Sequence, residues 1–246
     1  MSGMRGPVDV STVVDQLDRK GYAVVEGIVP AHVNDRVREI CRSLVAEAIE
    51  GFEASLRAGR SIEWQERGVV RVADIEPHVF RCEDVINDHS LLETARRLTA
   101  GRDFRRSRLS LRAPLPGYGH QGLHRDGQGV AGPGSSEGPR GAEPWPSVNV
   151  LWCLVPFGHA NGSLRVVPGS HRAETPPIED HFGSAMGPHP DEVLVTASAG
   201  SLILFNGARL WHSGTFNYSN EPRLALLFGY RPRSAPQPRE SGSERS

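Results

Sequence analysis

Apolar positions along the first hundred residues recur at helical spacing, and from about residue 104 they recur at strand spacing. Val13, Val14 and Leu17 share one face of a short helix that Ser11 caps and Gly21 ends. Tyr22 to Val25 predicts a strand. Pro30 opens a long helix to about Ala58, with Val33, Val37, Ile40, Leu44, Ala48 and Phe52 as its apolar stripe. Ser90 and Glu93 form a capping box before another helix that ends near Gly101. Leu109 and Leu111 then alternate with polar neighbours. Short β-rich runs follow at 148–155, 164–167, 193–196, 201–205 and 223–230, with turn residues between them. Helices followed by a series of strands predict an α+β class, mainly β, with a sandwich or jelly roll at its centre.

Composition supports this and removes some functions. Nineteen prolines and 27 glycines suit a turn-rich β fold better than a bundle. A formal net charge of −1 leaves no basic field for nucleic acid. Cys41, Cys82 and Cys153 stand far apart, odd in number and without a CxxC, so neither a disulfide framework nor a structural zinc site is expected. The N-terminus lacks an apolar signal core, and the longest apolar stretch, Val148 to Phe157, is too short to span a membrane. A soluble cytoplasmic protein is expected. Its single domain covers residues 1–232, with a disordered tail at 233–246. Residues 127–147 are rich in Gly, Pro and Ser and contain Trp145; they are the candidate lid over a site.

The candidate chemistry starts at Leu123-His124-Arg125-Asp126. On a strand, i and i+2 project to one face, so an imidazole and a carboxylate can reach one cation. A third ligand would complete a 2-His-1-carboxylate triad, the donor set of non-haem Fe(II) oxygenases. A His-x-Asp pair also arises by chance, and His189-Pro190-Asp191 is a second one. It is set aside because Pro190 disfavours a central strand and because it lies close to His212. His212 follows the apolar run Leu202 to Phe205, and Arg223 begins another. Eleven residues separate them across a plausible hairpin, which would put them on adjacent strands. A buried guanidinium there requires an anion and offers a bidentate fork for a carboxylate. The other reading of Arg223 is a surface partner of Glu221.

With these elements in order, the chain resembles the phytanoyl-CoA dioxygenase family of Fe(II)/2-oxoglutarate oxygenases. The resemblance rests on His124-x-Asp126, on Asn161 to His171 (NGSLRVVPGSH), on Trp211-His212, and on Asn217-x-Ser219 with Arg223. It implies a double-stranded β-helix (jelly-roll) core with flanking helices, and an iron held by His124, Asp126 and His212. It also implies Arg223 on the distal carboxylate of 2-oxoglutarate, with O2 as the oxidant. His171 is taken as structural. Asp126 argues against halogenation, since halogenating relatives replace this carboxylate with a small residue. Some relatives carry a co-substrate-binding serine two residues after the distal histidine; Gly214 stands here, and Thr215 is the substitute. Polar residues before the HxD motif touch the co-substrate in some relatives, which draws attention to Arg106, Ser107, Arg108, Ser110 and Arg112. The implied reaction oxidises an unactivated C–H of a small molecule by hydroxylation, or by epimerisation or cyclisation through a substrate radical. A Gly-, Pro-, Ala- and Arg-rich chain suggests a GC-rich bacterium, where such enzymes tailor antibiotics. No basic cluster in the sequence argues for a CoA thioester. The rival is a jelly-roll protein, cupin-like or non-catalytic, that binds metal or a small ligand.

Overall fold

The computed structural model describes residues 8–57, 68–79, 81–126, 144–173 and 185–233, with the side chains of 54–57 left aside. The expected tail and most of the expected lid lie outside these residues. Helix α1 (Val10–Lys20) is capped by Asp9, whose carboxylate accepts the N–H groups of Ser11 and Thr12. Ser11 therefore lies inside the first turn. Gly21 ends the helix at φ 83°, and a Cβ there would sit 2.7 Å from both His171 Nδ1 and Leu210 Cδ1. The position thus needs glycine for conformation and for space.

Strand β1 (Tyr22–Val25) leads into α2 (Ala31–Arg57), whose first free N–H groups, those of Val33 and Asn34, bond to Pro30 O. The deeply buried row of α2 is Val33, Val37, Cys41 and Val45; Ile40, Leu44, Ala48 and Phe52 are only half-buried. The stripe thus follows strict i+4 spacing from Val33, and Cys41 behaves as a small hydrophobe. Short α3 (Cys82–Ile86) precedes α4 (His89–Leu98). Asp88 caps α4 by accepting from the N–H groups of Ser90 and Leu91. Glu93 pairs forward with Arg96 and Arg97, so the expected capping box does not form.

Beyond β1 the strands are β2 (Val69–Val72), β3 (Phe104–Arg106), β4 (Ser110–Pro114), β5 (Val148–Cys153), β6 (Leu164–Val166), β7 (Val193–Leu194), β8 (Leu202–Phe205), β9 (His212–Gly214) and β10 (Ala225–Pro232). All pairings between them are antiparallel. A large sheet runs β1-β8-β5-β10-β4-β2, with β3 also on β10, and a small one runs β7-β6-β9. The mainly β jelly roll with helices on one side matches the expectation.

Alternation along the large sheet builds two cores. Val148, Val150, Trp152, Leu226 and Phe228 pack with the helices. Leu151, Cys153, Ile203, Phe205 and Ala225 face inward and meet Leu164 and Val166 of the small sheet. All of β5 is buried, as a strand covered on both faces requires. Trp145, at the end of the expected lid segment, is packed into the frame. It is 6% exposed, its backbone N–H donates to Leu98 O, and its ring centre lies 6.0 Å from that of His171. Among the described residues, no helix is long and apolar enough to cross a membrane.

Candidate metal centre

Backbone pairing brings the candidate ligands together. His124 and His212 form an antiparallel bridge, N–H to O at 3.0 and 3.1 Å, and the Asp126 N–H donates to Gly207 O at 2.7 Å. The HxD segment is thereby stapled to β9 and to the turn after β8. One ligand atom from each of His124, Asp126 and His212 lies within 4.8 Å of the others. No other His/Cys/Asp/Glu group of this kind occurs among the described residues.

The ring orientations are fixed in the same way on both histidines. His124 Nδ1 lies 2.8 Å from Gly122 O and His212 Nδ1 lies 2.9 Å from Leu210 O. A carbonyl only accepts, so each Nδ1 carries the proton and each Nε2 keeps its lone pair for a cation. The Phe205 ring edge packs against His212 with centroids 5.0 Å apart. Asp126 is held from the other side. Asn149 Nδ2 donates to its Oδ2 at 2.6 Å, while Oδ1 lies 3.7 Å from His212 Nε2. That separation makes the His212 contact a charge interaction rather than a hydrogen bond.

The electrostatics suit a cation. Burial, reinforced by the charge of His212, pulls the His124 pKa down to about 4, so its imidazole is neutral at pH 7. Burial opposes the charge on Asp126, yet His212, His124 and Asn149 outweigh it and hold the carboxyl well below its usual range. Burial also opposes a proton on His212, and Asp126 outweighs that and raises its pKa. One carboxylate and two imidazoles with free Nε2 atoms form a donor set that fits Fe(II).

Arg223 lies apart from these ligands in the fold. It precedes β10 in the large sheet, whereas His212 is in the small one, so the expected adjacent-strand hairpin does not exist. Jelly-roll connections cross between sheets, and the two residues belong to opposite walls. Arg223 is 6% exposed, and its Nη1 donates to Gly162 O at 2.7 Å. Its guanidinium carbon stands 4.3 Å from the centre of the Phe157 ring. Its Nε has no partner among the described residues, and burial lowers its pKa to about 10. A buried guanidinium with an unused donor and no acidic partner among those residues is a place for a carboxylate.

Thr215 does not offer its hydroxyl proton to the site. Both its Oγ1 and its N–H donate to Ser163 O, at 2.8 and 3.0 Å. His171 is built into the frame, with Nε2 donating to Asp18 O at 2.9 Å. The second HxD pair folds into a turn in which the Asp191 N–H donates to His189 Nδ1. Arg106 and Arg108 pair outside the site with Glu83 and Asp74, whereas Arg112 faces inward.

Three residues of the site region escape sequence reasoning. Asn149 is the one polar side chain inside the apolar run 148–155, and that interruption was the available signal. Gly207 backs Asp126: a Cβ there would meet Asp126 Oδ2 at 2.1 Å and Asn149 Nδ2 at 2.3 Å. Arg71 lies on β2, a strand the apolar pattern does not reveal.

Known proteins resemble this chain in sequence and in fold. The family model described as phytanoyl-CoA dioxygenase (PhyH) matches residues 17–225. The uncharacterized protein Rv1501 of Mycobacterium tuberculosis is 30% identical over 87% of this chain and 72% of its own. The Fe(II)/2-oxoglutarate-dependent dioxygenase nvfF of Aspergillus novofumigatus is 28% identical over 85% of this chain and 67% of its own. Among solved structures, HygX of Streptomyces hygroscopicus with nickel and 2-oxoglutarate bound has the same fold. Its TM-score is 0.62 at 19% identity, covering 91% of this chain and 87% of HygX. It has also been solved with hygromycin B bound in addition, at a TM-score of 0.59. The matched stretch takes in nearly every strand of both sheets and all three triad residues, and with it the chain belongs to the phytanoyl-CoA dioxygenase family of Fe(II)/2-oxoglutarate-dependent oxygenases.

Proposed function

We propose that His124, Asp126 and His212 hold the iron, that Arg223 pairs with the distal carboxylate of 2-oxoglutarate, and that the enzyme oxidises an unactivated C–H of a small molecule. The observation that carries this reading is the convergence of the three ligand atoms within 4.8 Å on the inner side of the jelly roll, combined with a buried Arg223 whose Nε is unused. Iron, 2-oxoglutarate and O2 together supply the oxidant, with 2-oxoglutarate converted to succinate and CO2.

Each side chain has a defined task. The Nδ1–H bonds to Gly122 and Leu210 aim both imidazoles. Asn149 holds one oxygen of Asp126 and leaves the other for the metal. Arg223 fixes the far end of the co-substrate, and Phe157 and the apolar inner core keep water from it. Hydroxylation is the simplest outcome, and epimerisation or cyclisation follows when the substrate radical has another fate. The chain's composition and the hygromycin B bound to HygX support a role in secondary metabolism.

The test is anaerobic reconstitution with Fe(II) and 2-oxoglutarate. A weak visible charge-transfer band should appear and should weaken in Asp126→Ala and in Arg223→Ala. Iron binding without the band would remove the co-substrate assignment and favour a cupin-like or binding role.

A further inference from the structure

The register of the large sheet places two arginines side by side on its inner wall. Arg71 of β2 is paired with Arg112 of β4, Arg112 with Ala225 of β10, and Ala225 with Cys153 of β5. Residues directly opposite one another share a face. Ala225 and Cys153 belong to the inner core, so Arg71 and Arg112 point inward with them. Their chain neighbours Val70, Val72, Leu111 and Ala113 pack on the helix side instead. Both arginines remain partly exposed although they face inward, so the wall is open to solvent at this end, where β2 forms the edge of the sheet.

Two like charges directly opposite each other destabilise a sheet. Burial, with the charge of Arg112 adding to it, lowers the Arg71 pKa to about 10. Burial lowers that of Arg112 as well. The charge that opposes both effects is the Asp126 carboxylate, which is already committed to Asn149 and to the metal position. Arg112 Nε has no partner among the described residues. Arg71 has further interactions, so the surplus rests first on Arg112.

An iron dication, the Asp126 carboxylate, the 2-oxoglutarate dianion and Arg223 cancel one another. The metal centre with its co-substrate is therefore neutral without Arg71 and Arg112. A guanidinium pair on the inner wall beside a neutral centre fits a further anion, and the remaining ligand of the reaction is the primary substrate.

We propose that Arg112, with Arg71 beside it, binds an oxyanion of the primary substrate, a carboxylate or a phosphate ester, and so orients an acidic substrate toward the metal. This rests on the metal-centre reading above and narrows its substrate class. The pair is invisible in the sequence, because its members stand 41 positions apart and only the β2–β4 register joins them.

The test uses the full chain, anaerobic, loaded with Fe(II) and saturating 2-oxoglutarate, with the charge-transfer band as proof of loading. Inorganic phosphate and acetate are then titrated at constant ionic strength, and the melting temperature is read. Saturable stabilisation of the loaded wild type is expected. In Arg112→Gln and Arg71→Gln the apparent anion affinity should fall about tenfold or more, the loss expected for a charged hydrogen bond. Arg112→Lys keeps the charge but not the fork, and should be intermediate. Arg102→Gln, at an exposed position, should match the wild type. The tighter of the two probes identifies the oxyanion.

No saturable effect in the loaded wild type, or an equal effect in Arg112→Gln, overturns the proposal. So does a weakening of the 2-oxoglutarate band in Arg112→Gln as strong as in Arg223→Gln, because the pair would then serve the co-substrate. Absence of the band in the wild type is a separate failure, that of the metal-centre reading. In that case the anion titration of the metal-free chain still shows whether Arg112 binds an oxyanion.

Discussion

Gly207→Ala tests the metal centre through a single methyl group. Gly207 is not among the glycines with positive φ, so alanine suits its backbone and only the contact changes. The new Cβ would lie 2.1 Å from Asp126 Oδ2, whereas ordinary contact begins near 3.4 Å. The oxygen must therefore retreat by about 1.3 Å. It cannot retreat toward Asn149, whose Nδ2 would itself lie 2.3 Å from the Cβ. The side chain of Asp126 is 35% exposed, so the carboxylate can swing outward and the fold can survive. Overpacking of this kind costs about 1–3 kcal/mol, and the open side favours the lower end. The metal suffers more. Disturbing only the partner that orients a ligand typically costs 10–100-fold in affinity, about 1.4–2.7 kcal/mol, and here the ligand itself moves. Anaerobic competition of Fe(II) or Co(II) against a fluorescent chelator reads the affinity, and a thermal melt of the metal-free variant reads the fold. A well-folded Gly207→Ala that holds metal as tightly as the wild type would show that Asp126 is not a ligand.

Other expectations follow from the same geometry. Asn149→Leu removes the 2.6 Å bond to Asp126 at nearly constant volume and should weaken metal binding about tenfold; an unchanged chelator titration would mean that Asn149 does not orient the ligand. Arg223→Lys loses the planar fork and should raise the KM for 2-oxoglutarate about tenfold or more while leaving metal affinity near that of the wild type. Equal losses in both would point to a general packing defect. His171 gives a pH effect. Burial depresses its folded pKa below 6.5, and its Nδ1 has no partner among the described residues to receive a second N–H. The unfolded chain therefore takes up a proton more readily below pH 6.5. The stability from neutral His171 is present above that pH and is lost as the pH falls through the depressed folded value. Melting temperatures of wild type and His171→Gln between pH 5 and 7.5 should diverge in slope, and parallel curves would refute this assignment.

Much of the frame was legible because local rules governed it. The strand Tyr22–Val25 and the strand cores at 148–155 and 201–205 follow from apolar runs bounded by turn residues. Both missed caps share one cause. In Asp9-Val10-Ser11 and in Asp88-His89-Ser90 the carboxylate takes the cap and the serine becomes the second helical residue. A charged acceptor at the positive end of the helix outcompetes a hydroxyl. Strand β2 escaped because three of its four residues are valine, so no alternation marks its inner face. Trp145 does lie in a loop, as the composition of its neighbours predicts, but its own large apolar surface buries it there.

The site itself divides along the same line. His124 and Asp126 could be paired from spacing alone, because two residues on one extended segment carry their geometry with them. His212 and Arg223 could be chosen but not arranged, since spacing in a jelly roll does not say which sheet a strand joins. An eleven-residue interval fits a hairpin as well as a crossing between walls, and the chain uses the crossing. That crossing matters to the chemistry. Arg223 approaches from the large sheet and His212 from the small one, so the co-substrate would lie between the two walls and not along one of them. Asn149 and Gly207 then become necessary for a physical reason no motif records. A carboxylate drawn toward two imidazoles and two arginines has several places to go. A donor on one side, and a backbone without a Cβ on the other, leave it one.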